Sequence, residues 1–226
     1  MKDKKQFTDK LKKQILEEIK KRGLNDLSLI LNDARRKYLS KIKKYKIKDA
    51  EQSWKPFKGN FLEDVILGYI IEEIKKAGLE VEKGRPLEKA RDDKLGECLS
   101  LVKRKLAIDY GEFGLHLPDA DLIIYDPKEC KPIAVISSKA TLRERIAQTA
   151  YWSIKLKQGN VTRNIKVLFI TLDEDKDLKL KEPAKKGRAI AEIDIDCTYV
   201  ITDDKIEESD KVKKIDKFFD DLKKFV

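Results

Sequence analysis

Histidine occurs once in this 226-residue chain, as His116, and cysteine three times, as Cys98, Cys130 and Cys197. A single histidine excludes hydrolytic chemistry built on a histidine pair, and it excludes a Cys2His2 zinc site. The cysteines are far apart in sequence, odd in number and form no CxxC pair. Neither a zinc ribbon nor a disulfide scaffold is therefore expected, and a reducing compartment fits the pattern. No apolar run approaches membrane-spanning length, and the opening MKDKKQFTDK lacks the apolar stretch of a signal peptide. A cytoplasmic protein is the expectation. If the chain is a hydrolase, carboxylates and lysine must do the work.

Those groups are plentiful. Charged residues make up 41% of the chain, with 51 Lys and Arg against 41 Asp and Glu, for a net charge of +10. That balance favours an anionic partner, nucleic acid first and an acidic membrane surface second. Lysine predominates over arginine and glutamate is abundant, a surface that thermophile proteins also carry whatever their function. The length suits one compact domain, with residues 1–50 as a helical annex for gripping DNA or for dimerisation and 51–226 as the core.

Residues 4–22 and 24–46 have the helical spacing of two basic amphipathic helices, with Phe7, Leu11, Ile15, Ile19, Leu27, Leu31 and Tyr38 on the packing stripe. The segment SWKPFKGN, 53–60, reads as a loop pinned by Trp54 and Phe57. Asn60 then caps a helix that runs to about Ala77 and stops at Gly78. A short strand is expected at Leu79–Val81, and Leu99–Ile108 is readable as helix. Further strands are expected at Ile165–Leu172 and Thr198–Ile201, and a terminal amphipathic helix at Lys211–Phe225. Helices and strands in this order describe an α/β fold, with a central mixed β-sheet flanked by helices.

The most informative segment is residues 118–152. Ala120–Tyr125 and Pro132–Ser137 are apolar, β-branched runs on either side of the turn-prone Asp126-Pro127-Lys128-Glu129, and they read as a β-hairpin. Centred near Glu129, the hairpin sets Asp126 opposite Pro132 and Asp119 opposite Lys139. A carboxylate and an ammonium then share the open end of two buried strands. A helix follows from Leu142 to about Lys157, with Arg143, Glu144 and Arg145 on its first turn. Phosphodiester hydrolysis needs a cation at such a carboxylate, and a lysine beside it to orient the attacking water.

Pro118-Asp119, Ser137-Ser138-Lys139 and Leu142-Arg143-Glu144-Arg145 together resemble the PD-(D/E)XK type II restriction endonucleases. More narrowly, they are similar to the BsaWI-like branch that cuts CCGG-type sites. The resemblance implies a restriction-endonuclease-like core and Mg²⁺-dependent double-strand cleavage at a short palindromic site. It also implies a homodimer, and a cognate methyltransferase that protects host DNA. In these terms Asp119 binds metal and Lys139 serves the attacking water. The general motif wants an acid two residues before the lysine, where this chain has Ser137. Glu63, beside the apolar stripe of a helix, is the candidate second metal carboxylate, and Glu112 is the reserve.

Arginine forks suit guanine edges and a carboxylate suits cytosine N4, so Arg143, Glu144 and Arg145 are candidate readers of a G·C core. Gln148, one turn on, is a further DNA-contact candidate. A competing role exists for Glu144, because Thr141-Leu142-Arg143-Glu144 also spells a capping box. Capping does not explain two arginines at the positive end of a helix. Alternatives are another PD-(D/E)XK nuclease, such as a repair nuclease or junction resolvase, and a non-catalytic basic DNA-binding protein.

Overall fold

A six-stranded sheet carries everything else in the fold. The structure is a computed structural model that describes residues 2–45 and 47–225, and every side chain among them except those of Lys2, Asp3 and Arg143. The chain opens with helices α1 (Lys2–Arg22), α2 (Leu27–Ile42) and α3 (Ala50–Lys76). Then come β1 (Glu80–Lys83), the short α4 (Gly84–Lys89), α5 (Glu97–Leu106) and a small ribbon of β2 (Ile108–Asp109) with β3 (Leu115–His116). The hairpin β4 (Leu122–Asp126) and β5 (Lys131–Lys139) leads into α6 (Arg143–Gln158). The remainder is β6 (Lys166–Thr171), α7 (Lys186–Asp194), β7 (Cys197–Val200), β8 (Val212–Lys214) and α8 (Phe218–Leu222).

β1, β4 and β5 pair antiparallel, while β5, β6, β7 and β8 run parallel, so the sheet is mixed. Successive strand residues face opposite sides, and the buried sets divide accordingly. Leu122, Ile124, Ala134, Ile136, Leu168 and Ile170 pack toward α1, α2, α3 and α8 in one continuous cluster. Ile123, Tyr125, Val135 and Val167 face the other side, where α5 and the end of α6 cover them. Phe169, Val200 and Val212 meet α6 and α7 in a third cluster. Among the described residues, no helix is long and apolar enough to cross a membrane.

Several expectations need correction. Residues 53–60 are not a loop but the second and third turns of α3, which begins ten residues before Asn60. Asp49 is the true N-cap, its side chain accepting from the Gln52 N–H at 2.9 Å. Pro56 forfeits a helical hydrogen bond there, but Trp54, Phe57 and Phe61 stack with Tyr38 in one aromatic row whose burial offsets that loss. The end of the chain is not a long helix either. Val212–Lys214 joins the sheet beside β7, and only Phe218–Leu222 is α-helical. The lysine-rich stretch after Pro183 contains α7, held by the fully buried Arg188. Its guanidinium donates to Glu192 and to the carbonyls of Leu178 and Glu207.

The cysteines also depart from expectation. Cys98 on α5 and Cys130 at the hairpin turn are joined in a disulfide with Cα atoms 5.0 Å apart. Their separation in sequence hid this, because α5 folds back across β5. Cys197 is free and buried.

Candidate active site

The open end of the hairpin brings together residues from three elements. β4 and β5 keep the expected register at this end, with Leu122 opposite Ile136 and Ile123 opposite Val135. A bulge between Ile124 and Tyr125 absorbs one residue nearer the turn, so Asp126 lies opposite Lys131 rather than Pro132. Beyond Leu122 the chain stays pinned for one more residue. The Asp121 N–H donates to the Ile136 carbonyl and the Asp121 carbonyl accepts from the Gly84 N–H, both at 2.9 Å. The approach to Gly84 is so close that a Cβ there would collide with the Ala120 carbonyl oxygen.

The carboxylate that meets Lys139 is Asp121. Its two oxygens lie 3.1 and 2.8 Å from the Lys139 ammonium, and it also accepts from the Ser138 N–H at 2.6 Å and the Ser138 hydroxyl at 3.2 Å. Both side chains are largely shielded, 12% exposed for Asp121 and 22% for Lys139. The expected Asp119–Lys139 contact is not formed. Asp119 is exposed and accepts instead from the Gln148 amide at 2.8 Å, tying the strand entrance to α6. The physical reason is reach. Asp121 is a diagonal neighbour of Lys139 across the ladder, within the span of a long side chain, and its backbone is fixed where that of Asp119 is not. The sequence carried a signal for this choice: an acid adjoining the buried run Leu122–Tyr125 is costly unless it is paired.

Glu63 enters from α3, half-buried. Burial first, and then the negative charge of Asp121, push its carboxyl up to about 7, against the opposing pull of Lys139 and Lys83. Glu63 thus stands within electrostatic reach of the Asp121–Lys139 pair. Glu112 sits on an exposed 3-10 turn, Gly111–Phe113. Among the described residues, no group of three His, Cys, Asp or Glu is close enough to hold a metal ion. What the chain offers is a pair of carboxylates of like charge in a half-buried place, a donor set that suits a hard cation completed by water and substrate oxygens.

Just beyond Lys139, α6 takes Leu142 rather than Thr141 as its N-cap and has no side-chain cap hydrogen bond among the described residues, so the Thr141–Glu144 capping box is out of register. Glu144 is 79% and Arg145 51% exposed, and they stand 3.7 Å apart. The Arg143 side chain lies outside the described ones. Gln148 is exposed but engaged with Asp119.

A mixed sheet whose central hairpin presents an acid and a lysine at one end defines a restriction-endonuclease-like fold. The match to the complex of restriction endonuclease PspGI with its substrate DNA agrees. It covers 96% of this chain and 92% of that one with a TM-score of 0.52 at 17% identity, a likeness of fold. Residues 98–224 match the family model described as BsaWI restriction endonuclease type 2. A protein of Methanocaldococcus jannaschii assigned as type II restriction enzyme MjaVIP is 37% identical over 214 residues, spanning 88% of this chain and 92% of its own. A second, from Helicobacter pylori and assigned as type II restriction enzyme HpyAORF263P, is 40% identical over 87 residues, 38% of this chain and 45% of its own. The chain belongs to the BsaWI family of type II restriction endonucleases, which are site-specific deoxyribonucleases.

Proposed function

We propose that this enzyme makes Mg²⁺-dependent double-strand cuts at a short palindromic site with a G·C-rich, CCGG-like core, leaving 5′-phosphate and 3′-hydroxyl ends. The observation that carries the cleavage reading is the partly buried contact between Lys139 and Asp121, with Glu63 in their field. In this reading Asp121 takes the metal-binding role expected of Asp119, and Glu63 supplies the second carboxylate. Mg²⁺ held there would provide charge neutralisation at the phosphate and a more acidic water. The protein's own part is positional. Ser138 donates twice to Asp121 and fixes its carboxylate plane, and the Lys139 ammonium is presented to the same space to orient the attacking water and meet charge developing on the phosphate. Asp119, through Gln148, fixes the approach of α6.

Reading of the G·C core is assigned to Arg143, Glu144 and Arg145. The absence of a side-chain cap supports this, because it leaves Glu144 free of the backbone role that its sequence position allows. One such centre cuts one strand, so a homodimer on a two-fold site is proposed, with the helices of residues 1–50 gripping DNA or joining the subunits. A cognate methyltransferase would protect host DNA in the cytoplasm, where the enzyme is proposed to act. The test is digestion of plasmid DNA with Mg²⁺ and sequencing of the fragment ends. Identical ends at a G·C-centred palindrome are expected. Random nicks would mark a general nuclease, and intact plasmid a binder.

A further inference from the structure

Lys83 closes β1 opposite Leu122, and the next residue, Gly84, donates to the Asp121 carbonyl. The Lys83 charge acts on Glu63 together with those of Asp121 and Lys139, so its side chain belongs to the rim of the cleavage centre. The Lys83 ammonium is held by the Asp64 carboxylate at 2.5 Å, while the other oxygen of Asp64 takes Lys12 of α1 at 3.1 Å. Asp64 adjoins Glu63 on α3, so Asp64 and Lys83 form a second acid–lysine pair beside the first. The two pairs differ in burial. Lys139 and Asp121 are 22% and 12% exposed, but Lys83 and Asp64 are 36% and 40% exposed. A pair that wet is held weakly and exchanges partners readily.

We propose that Lys83 is a phosphate-contacting residue of the cleavage site, parked on Asp64 until the DNA backbone replaces that carboxylate. The proposal rests on the reading of Asp121, Glu63 and Lys139 as the cleavage centre. The incoming phosphodiester brings further negative charge to a place already lined by Asp121, Glu63 and Asp64. A second ammonium on the adjacent strand offsets it, and a phosphate oxygen is a charge-assisted acceptor at least equal to Asp64. The ligand is a backbone phosphate, so the contact carries no sequence preference. Lys12 stays on Asp64 when Lys83 leaves, so the carboxylate is not stranded.

The test compares Lys83→Ala, Lys83→Arg and Asp64→Asn on a duplex carrying the mapped site and on a scrambled duplex. Binding is read in Ca²⁺ across a salt series, cleavage under single-turnover conditions in Mg²⁺, and folding by thermal melts. Lys83→Ala should weaken both duplexes alike and lower the slope of log K against log salt by about one. It should also slow single-turnover cleavage about 10-fold or more, with the melt unchanged. Lys83→Arg should recover the slope. Asp64→Asn should move the other way and tighten binding by roughly two- to five-fold, because the phosphate no longer competes with a carboxylate. A pair that merely pins α3 to β1 predicts instead that Lys83→Ala and Asp64→Asn weaken binding together with the slope unchanged, and that result would overturn the proposal. Lys139→Ala, run alongside, separates the two readings. A dead Lys139→Ala beside an unchanged Lys83→Ala removes the proposal alone. A Lys139→Ala that cuts at the wild-type rate removes the cleavage centre from this place, and the proposal with it.

Discussion

The Lys139 ammonium lies 2.8 Å from Oδ2 of Asp121, and two residues before it Oδ2 of Asp119 lies 2.8 Å from the amide of Gln148. Two acids on the same stretch thus have different jobs, and mutation should tell them apart. Asp121→Asn removes a proposed metal ligand and should lower cleavage by more than the roughly 10–100-fold typical of losing an outer partner of such a ligand. Asp119→Asn acts only by loosening α6 and should cost about 10-fold or less, like an outer contact. Single-turnover rates on plasmid DNA measure both.

As the proposed second metal carboxylate, Glu63 would make metal binding depend on pH. Its carboxyl is raised to about 7, and a cation needs it ionised, so divalent affinity should climb as pH rises toward that value and level off above it. The linkage with folding has the opposite sign. Between the ordinary value of 4.5 and about 7 the folded protein holds a proton that the unfolded chain has lost, so metal-free stability should fall as pH rises through that window. Calcium titration calorimetry and melts from pH 4 to 8 test the pair. Glu63→Gln should flatten both profiles.

Gly84 sets how closely the end of β1 approaches the backbone of Ala120 and Asp121. Gly84→Ala would drive its methyl into the Ala120 carbonyl and push Asp121 away from Lys139. A loss of about 1–3 kcal/mol in stability is expected from such overpacking. Cleavage should fall further than the melt suggests, and denaturation midpoints set beside cleavage rates will show it.

How much of this was legible in the sequence depends on the length scale. The hairpin register at the catalytic end follows from strand alternation, and the structure keeps it at Leu122–Ile136. Which acid meets Lys139 does not follow, because Asp119 and Asp121 share the same alternation. The choice is made by the backbone bonds to Ile136 and from Gly84, the latter at the start of α4 and almost forty residues away in sequence. Residues 53–60 misled for a related reason. Pro56 and Gly59 carry local loop signals, and only the long-range row of Tyr38, Trp54 and Phe57 overrides them. The Cys98–Cys130 pairing likewise needs the packing of α5 over β5.

Arg145 and Glu144 should govern where the enzyme binds rather than how fast it cuts. Each bidentate arginine–guanine pair discriminates by about 1–3 kcal/mol, so Arg145→Ala in both subunits of a dimer should cost roughly 2–6 kcal/mol on the cognate site. Binding to scrambled DNA should change far less, since lysines supply those contacts. Competition between the two duplexes at one fixed salt concentration decides the matter. Equal losses would make Arg145 a phosphate clamp.

The disulfide closes a loop that contains the whole of β4, since Cys98 and Cys130 are 32 residues apart. Reduction, or Cys98→Ser, should therefore remove about 3–4 kcal/mol of stability by releasing the unfolded chain. Melts with and without dithiothreitol, set against Cys197→Ser as a control, measure it.

The bare start of α6 has a consequence for how such enzymes diversify. Glu144 and Arg145 are largely exposed and face each other at 3.7 Å, so exchanging them costs the fold little. The rigid strand two turns of chain away keeps its acid and lysine whatever stands there. On the proposed reading, a lineage could drift through new target words by trial at these surface positions, while its cutting tool is inherited unaltered.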